Sequence, residues 1–379
     1  MRKSWFCLLA VWWFVLAAGC ASASSLQEGV SQTLAGLDLA AFEKTVEESG
    51  LFSMTASQLL SRLAEGGVVM SAEDALRWLG HQAAGVFSDS LWRMSKLLAP
   101  ALIATVAGQL HVRQGSAKAA HYGGLLMTMG FLVADLRTYA AMCNGAVAEM
   151  AGLMQALFPL LVTLLAAVGG TASSMFYQPA VMAAAGSMTT MIQQVTMPFA
   201  VSIAVLTMVG GLSENLRVSK LRRLLRQVVD WTLGLGFTVF IGVMTVQGLG
   251  AAAVDGVSIR TAKYAMDNFI PIVGGMFADT VDTLVGSSLL IQNAVGVLGL
   301  ILLLGKLLMP LLRTVAAMLL YRAAAAVLEP MADSPLCRCI GDYADVFSLL
   351  FIIQLSVAAM FLLLAAQLVM VGNMTVMLR

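Results

Sequence analysis

Charge is what this chain has least of. Lys, Arg, Asp and Glu make up 11% of its 379 residues, while 59% are hydrophobic, and the mean hydropathy is +0.87. A soluble domain is nearer a quarter charged, so this composition indicates a polytopic, all-α membrane protein. A net charge of +1 argues against nucleic acid or any other strongly charged partner. Histidine is nearly absent. His81, His111 and His121 are too scattered for a zinc triad, and there is no HExxH. Five cysteines make no framework. Cys7 lies near the start and Cys143 stands alone, while Cys337 and Cys339 are too close for an easy disulfide and have no histidine nearby. No GxxxxGK[ST] is present, so nucleotide hydrolysis through a P-loop is excluded, and nothing supports a serine or cysteine triad. Asp279 and Asp282 are three apart on one helical face, unlike the two-helix aspartates of intramembrane proteases. An enzyme is not expected, nor a cofactor or metal.

What is present begins with a secretory leader. Arg2 and Lys3 precede an apolar run from Trp5 to Ala18, and Ala21–Ala23 offers a small-residue cleavage site, giving a signal peptide over 1–23. The alternative is lipidation at Cys20, which follows Gly19, although Ala17 stands where a lipobox usually has leucine. Residues 24–95 have ordinary soluble composition and an acidic bias, and read as a short extracytoplasmic helical region that packs on partners or on the membrane. Ser71 followed by Glu73 and Asp74 predicts a helix start, with the helix running on into the membrane through "LLAPALIATVAGQL".

Residues 96–379 read as a membrane domain. Hydrophobic spans fall near 97–110, 122–134, 150–168, 179–192, 195–212, 231–254, 288–305, 307–328 and 346–371. Several are shorter than the ~20 residues that cross a bilayer, so about 7–9 crossings are expected. The densest basic run carries Arg217, Lys220, Arg222, Arg223 and Arg226. By the positive-inside rule it is cytoplasmic. Its helical period predicts an amphipathic helix over 213–231, lying in the headgroup layer or docking a cytoplasmic partner. Counting crossings then puts Asp255–Ser287 outside, a turn after Gly305 inside, Leu328–Asp345 outside and Arg379 inside.

One stretch departs from plain hydrocarbon. "YAMDNFIPIVGGMFADTVDTLVGSS" (264–288) holds Asp267, Asn268, Pro271, Gly274, Gly275, Asp279 and Asp282. Proline removes a backbone donor and paired glycines disfavour a helix. A broken helix in lipid must be buried in protein or line a wet cavity, and a charge there is costly. Two readings stay open: a re-entrant hairpin whose polar face lines an aqueous path or meets a partner, and an ordinary extracytoplasmic loop.

This block, above all "DNFIPIVGGMF" with Asp279 and Gly286 after it, resembles the stage III sporulation protein AE family of endospore-forming bacteria. The leader, the acidic N-terminal helices and the central basic run extend the resemblance over nearly the whole chain. It implies a multi-pass subunit, in the mother-cell membrane around the forespore, of a secretion-like channel complex required for forespore development. It also implies other membrane and ring-forming subunits and a secretion-type ATPase on the cytoplasmic side as partners. The family supplies no catalytic residues. A second reading, a secondary transporter for a small solute, rests on "YQPAVMAAAGSMTTMIQQ" (177–194), which pairs a proline with small and polar residues as the later block does.

Overall fold

Helices in this protein run well past the ends that the hydropathy pattern sets. The computed structural model describes residues 30, 33–34, 36–37, 39–49, 52, 54–67, 72–109, 115–212, 218–269, 274–330 and 335–377. The expected leader lies outside them. Among them there is no strand. The elements are α1 (Ala40–Ser49), α2 (Ala56–Ala64), α3 (Ala72–Gln109), α4 (Gly115–Ala167), α5 (Thr171–Met191), a π-helical turn (Ile192–Thr196), α6 (Met197–Leu212), α7 (Ser219–Phe269), α8 (Gly274–Leu328) and α9 (Pro335–Met377).

The nine expected spans therefore collapse. The runs at 122–134 and 150–168 are both in α4, those at 179–192 and 195–212 join through the π turn, and α8 holds both 288–305 and 307–328. Five stretches are long and apolar enough to cross a membrane: Ala119–Ala167, Pro179–Gly211, Ser219–Val246, Leu284–Leu328 and Leu336–Met374. The expectation of 7–9 crossings is corrected to these five among the described residues. The reason is that a charged residue interrupts hydropathy without interrupting a helix. Backbone hydrogen bonds continue through Asp135, Glu149 and Lys306, whose side chains find partners on other helices. Pro310 also lies within α8. Its missing N–H deprives the Lys306 carbonyl of a donor, yet packing holds the helix together. At 1.5 Å per residue, the 53 residues of α4 reach about 80 Å, well beyond ~30 Å of hydrocarbon.

Short connections set the directions of the helices. Gly169 has φ 103°, a left-handed conformation that glycine adopts without steric cost, and Gly170 N–H closes back on the Leu165 carbonyl at 2.8 Å. This turn sends α5 back along α4. α9 lies antiparallel to α8, with Tyr343 against Tyr321 at one end and Leu368 against Gln292 at the other. α4 runs parallel to α9, since Leu132 meets Tyr343 and Cys143 meets Leu350. α3 is antiparallel to α4, with His121 Nδ1 2.8 Å from the Ala104 carbonyl oxygen. The buried centre is built from Leu132, Met150, Leu153, Leu157 and Leu161 of α4 with Tyr343, Phe347 and Phe361 of α9.

Two further expectations change. The turn after Gly305 is the interior of α8, so Leu328–Asp345 does not lie opposite the basic run. The two stand side by side, with Arg222 of α7 paired to Asp342 of α9. The basic run is also not a separate surface helix. Nothing in "LRRLLRQVVDWTLGLGF" breaks a helix, and the run forms the first turns of α7, which continues to Phe269. At the other end of the chain, Thr55 caps α2 in a reciprocal box with Gln58. Phe42, Val46, Leu59 and Leu60 join the same core as the long helices. The N-terminal helices thus pack on the bundle itself.

Candidate functional site: a charged belt and a polar seam

Where α6 and α8 end and α7 and α9 begin, the bundle carries a belt of charge. Arg222 donates to the Asp342 carboxylate, and Arg322 lies 3.7 Å from Asp345. Across the bundle, Arg93 of α3 is 3.6 Å from Asp135 of α4, and Tyr321 donates its hydroxyl proton to Asp135 at 2.7 Å. Each contact joins two different helices. The tyrosines are held by rings: Tyr321 stacks on Phe347 at 4.9 Å, Tyr139 meets Phe347 edge-on at 4.9 Å, and Tyr343 donates to the Leu132 carbonyl at 2.7 Å. The aromatic faces bury apolar area, and the hydroxyls satisfy groups that apolar surroundings leave without water.

The cysteine pair belongs to this belt. Neither is in a disulfide, and the thiols aim at different neighbours, Cys337 at the Ala325 carbonyl and Cys339 at the Thr207 carbonyl. They are packing residues between helices.

A second feature runs along the contacts between α4, α8 and α9. Lys306 lies 3.8 Å from Glu149. Thr314 donates to Gln354 at 3.2 Å, Gln292 donates to the Leu368 carbonyl at 3.2 Å, and the amides of Asn293 and Asn373 exchange hydrogen bonds at 3.4 and 3.3 Å. Gln292 Oε1 and Gln354 Nε2 are buried without a hydrogen-bond partner. Polar groups inside a membrane bundle fix the register of neighbouring helices, and ionisable ones are functional candidates.

The third feature is the π turn. Pro198 supplies no N–H for the Gln194 carbonyl, and the ladder widens just before it, with Met197 N–H reaching Ile192 O. Thr196 Oγ1 is left buried and unpaired. Nearby, Gln155, Thr189 and Thr190 line a cavity of about 190 Å³ between α4, α5 and α9. Among the described residues no three His, Cys, Asp or Glu gather as metal ligands.

Comparison with known proteins is decisive at this point. Residues 54–372 match the profile of stage III sporulation protein AE. The chain belongs to that family. The stage III sporulation protein AE of Bacillus subtilis (strain 168) is 35% identical over 234 residues, which cover 62% of this chain and 59% of the relative. The chain thus aligns with less than two thirds of that relative's length. No solved structure matches.

The family stretch singled out by sequence spans the end of α7 and the start of α8. Asp267 and Asn268 are in the last turn of α7, Gly274 and Gly275 open α8, and Asp279 and Asp282 follow within its first three turns. Pro271 and Arg217 lie outside the described residues. Of the basic run, Arg222 turns inward to Asp342, whereas Lys220 and Arg223 are exposed and Arg226 lines the same cavity as Arg222. Sequence reasoning missed Asp135, Tyr321, Asp342, Glu149 and Lys306. The available signal was that each is an ionisable or phenolic group isolated in an apolar helix, which must find a partner.

Proposed function

We propose that this chain is a non-enzymatic, multi-pass subunit of the secretion-like channel complex between mother cell and forespore, and that it acts as a membrane scaffold in forespore development. Its partners are the other membrane and ring-forming subunits, with a secretion-type ATPase meeting the cytoplasmic face. The observation that carries this reading is the extent of the family match. Residues 54–372 take in α2 and all the long helices except the last turn of α9, so the family's role is a role of the bundle as a whole. The belt supports it, because its ion pairs tie helices of one chain together. The stretch from Asp267 to Asp282 is the proposed polar path or partner contact.

The test is affinity isolation from sporulating cells in mild detergent. Membrane and ring-forming subunits should come with the tagged chain, and isolation of the chain alone from cells that retain the complex overturns the proposal. The buried glutamines of the seam give the transporter reading its support. Reconstitution in liposomes separates the two, since a scaffold moves no solute by itself and a transporter does.

A further inference from the structure

Arg222, Arg223 and Arg226 line one cavity of about 340 Å³ together with Ile203, Thr207, Ser219, Asp342, Asp345, Val346 and Leu349. Three cations and two carboxylates meet here, but the carboxylates are already matched. Asp342 pairs with Arg222, and Asp345 pairs with Arg322 from outside the cavity. Arg223 and Arg226 form no ion pair or hydrogen bond with any described residue. Two positive charges are therefore uncompensated in the cavity wall. The hydroxyls of Ser219 and Thr207 stand beside them, and Ser219 opens α7, where first-turn N–H groups lack helical acceptors.

The other end of the cavity is apolar, and its position is specific. Val346 and Leu349 lie one turn beyond Asp342 and Asp345 along α9, and Ile203 one turn before Thr207 along α6. Both steps lead from the belt into the apolar part of the bundle, where α9 carries no charge from Val346 to Met377. A cavity with unmatched arginines at the helix ends and an aliphatic floor toward the membrane interior fits an amphiphile whose head is anionic.

We propose that this cavity binds the phosphate of an anionic phospholipid, with Arg223 and Arg226 on the headgroup and an acyl chain along Ile203, Val346 and Leu349. Arg222 keeps the pocket open by holding Asp342 away from the phosphate. Phosphate is the shared chemistry of a lipid headgroup and of free phosphate; the aliphatic floor selects the lipid. The inference needs only that the bundle sits in a membrane, and it stands or falls separately from the sporulation complex.

The experiment is native mass spectrometry of the full chain in neutral detergent, titrated with phosphatidylglycerol, phosphatidylcholine or inorganic phosphate. One phosphatidylglycerol should be retained in preference to phosphatidylcholine. The pair R223Q and R226Q should weaken it roughly tenfold or more, as expected for two cations near an anionic lipid. K220Q removes a neighbouring cation outside the cavity and should change it less than about twofold. Equal loss with K220Q means diffuse surface charge and overturns the site, as does millimolar inorganic phosphate displacing the lipid. Should the double variant not accumulate, a photoactivatable phosphatidylglycerol on the unaltered protein decides. Adducts concentrated at Ile203, Val346 or Leu349 support the site, and adducts spread evenly over exposed residues such as Leu235 and Val246 overturn it.

Discussion

Tyr321→Phe is the cleanest probe of the belt. The change deletes one oxygen and keeps the ring that stacks on Phe347 at 4.9 Å and meets Tyr343 at 5.1 Å. What is lost is a 2.7 Å hydrogen bond to the Asp135 carboxylate. Hydrogen bonds to charged groups contribute about 1.5–3 kcal/mol in general, whereas polar couplings inside a membrane bundle average about 0.6 and reach about 1.7 kcal/mol. Two observations place this one in the upper part of the membrane range. The acceptor is a carboxylate, and the donor is only 4% exposed. Two others hold it below the general figure, because Asp135 keeps Arg93 at 3.6 Å and its side chain is 27% exposed to competing water. The expected coupling is therefore about 1–1.5 kcal/mol, read from a double-mutant cycle of Tyr321→Phe with Asp135→Asn by equilibrium unfolding in mixed micelles. Tyr321→Ala should cost more, about 3 kcal/mol or above, because the ring goes too. A cycle that gives less than about 0.3 kcal/mol refutes the claim that this contact locks α4 to α8.

Three other outcomes are expected. Asn293→Leu or Asn373→Leu alone leaves a partly buried amide without its partner and should destabilise the protein by about 0.6–1.7 kcal/mol, while the double change should cost less than the sum; additive losses in the same unfolding assay count against the reciprocal pair. Single cysteines replacing Lys220 and Glu329, in a background without native cysteines, should be modified from the same side of the membrane, and opposite sidedness contradicts the arrangement of α7, α8 and α9. Asp279→Leu with Asp282→Leu should abolish forespore development at normal protein levels, whereas the Asn pair separates a charge-dependent role from a merely hydrated one; normal spore yield from the Leu pair removes the functional reading of this stretch.

The helical class was legible because composition decides it: so little charge over so long a chain leaves no soluble alternative. One helix start was also legible: α3 begins at Ala72, where Glu73 and Asp74 signal a first turn. The number of spans was not, because hydropathy treats Glu149 and Lys306 as ends, whereas they meet each other across two continuous helices. A lone charge in an apolar run has two physical outcomes, a loop in water or a partner on another helix, and local sequence cannot separate them. The belt was illegible for the same reason. Tyr321 and Asp135 are 186 residues apart, and Arg222 and Asp342 are 120 apart, so no spacing rule links them.

That ambiguity can be resolved by counting polar groups along one helix against those on its neighbours. α9 carries Asp342, Asp345, Gln354 and Asn373, and α8 carries Arg322, Tyr321, Thr314, Lys306, Asn293 and Gln292 in the reverse order. Read antiparallel, the two series match in register: Arg322 with Asp345, Thr314 with Gln354, Asn293 with Asn373. A shift by one residue would break all three, at about 0.6–1.7 kcal/mol for each polar pair inside the bundle. Apolar side chains alone would tolerate that slip, since lipid provides no hydrophobic drive between helices. The seam is therefore what fixes how α8 and α9 meet. If the packing of α8 on α9 positions the stretch that the complex contacts, mutations in the seam should alter function at a distance without touching the partner. Thr314→Val with Gln354→Leu is the pair to make, since it removes one matched step while keeping volume. Loss of spore formation with the protein still folded and inserted is the expected result, and unchanged spore yield together with unchanged stability would show that register is held elsewhere.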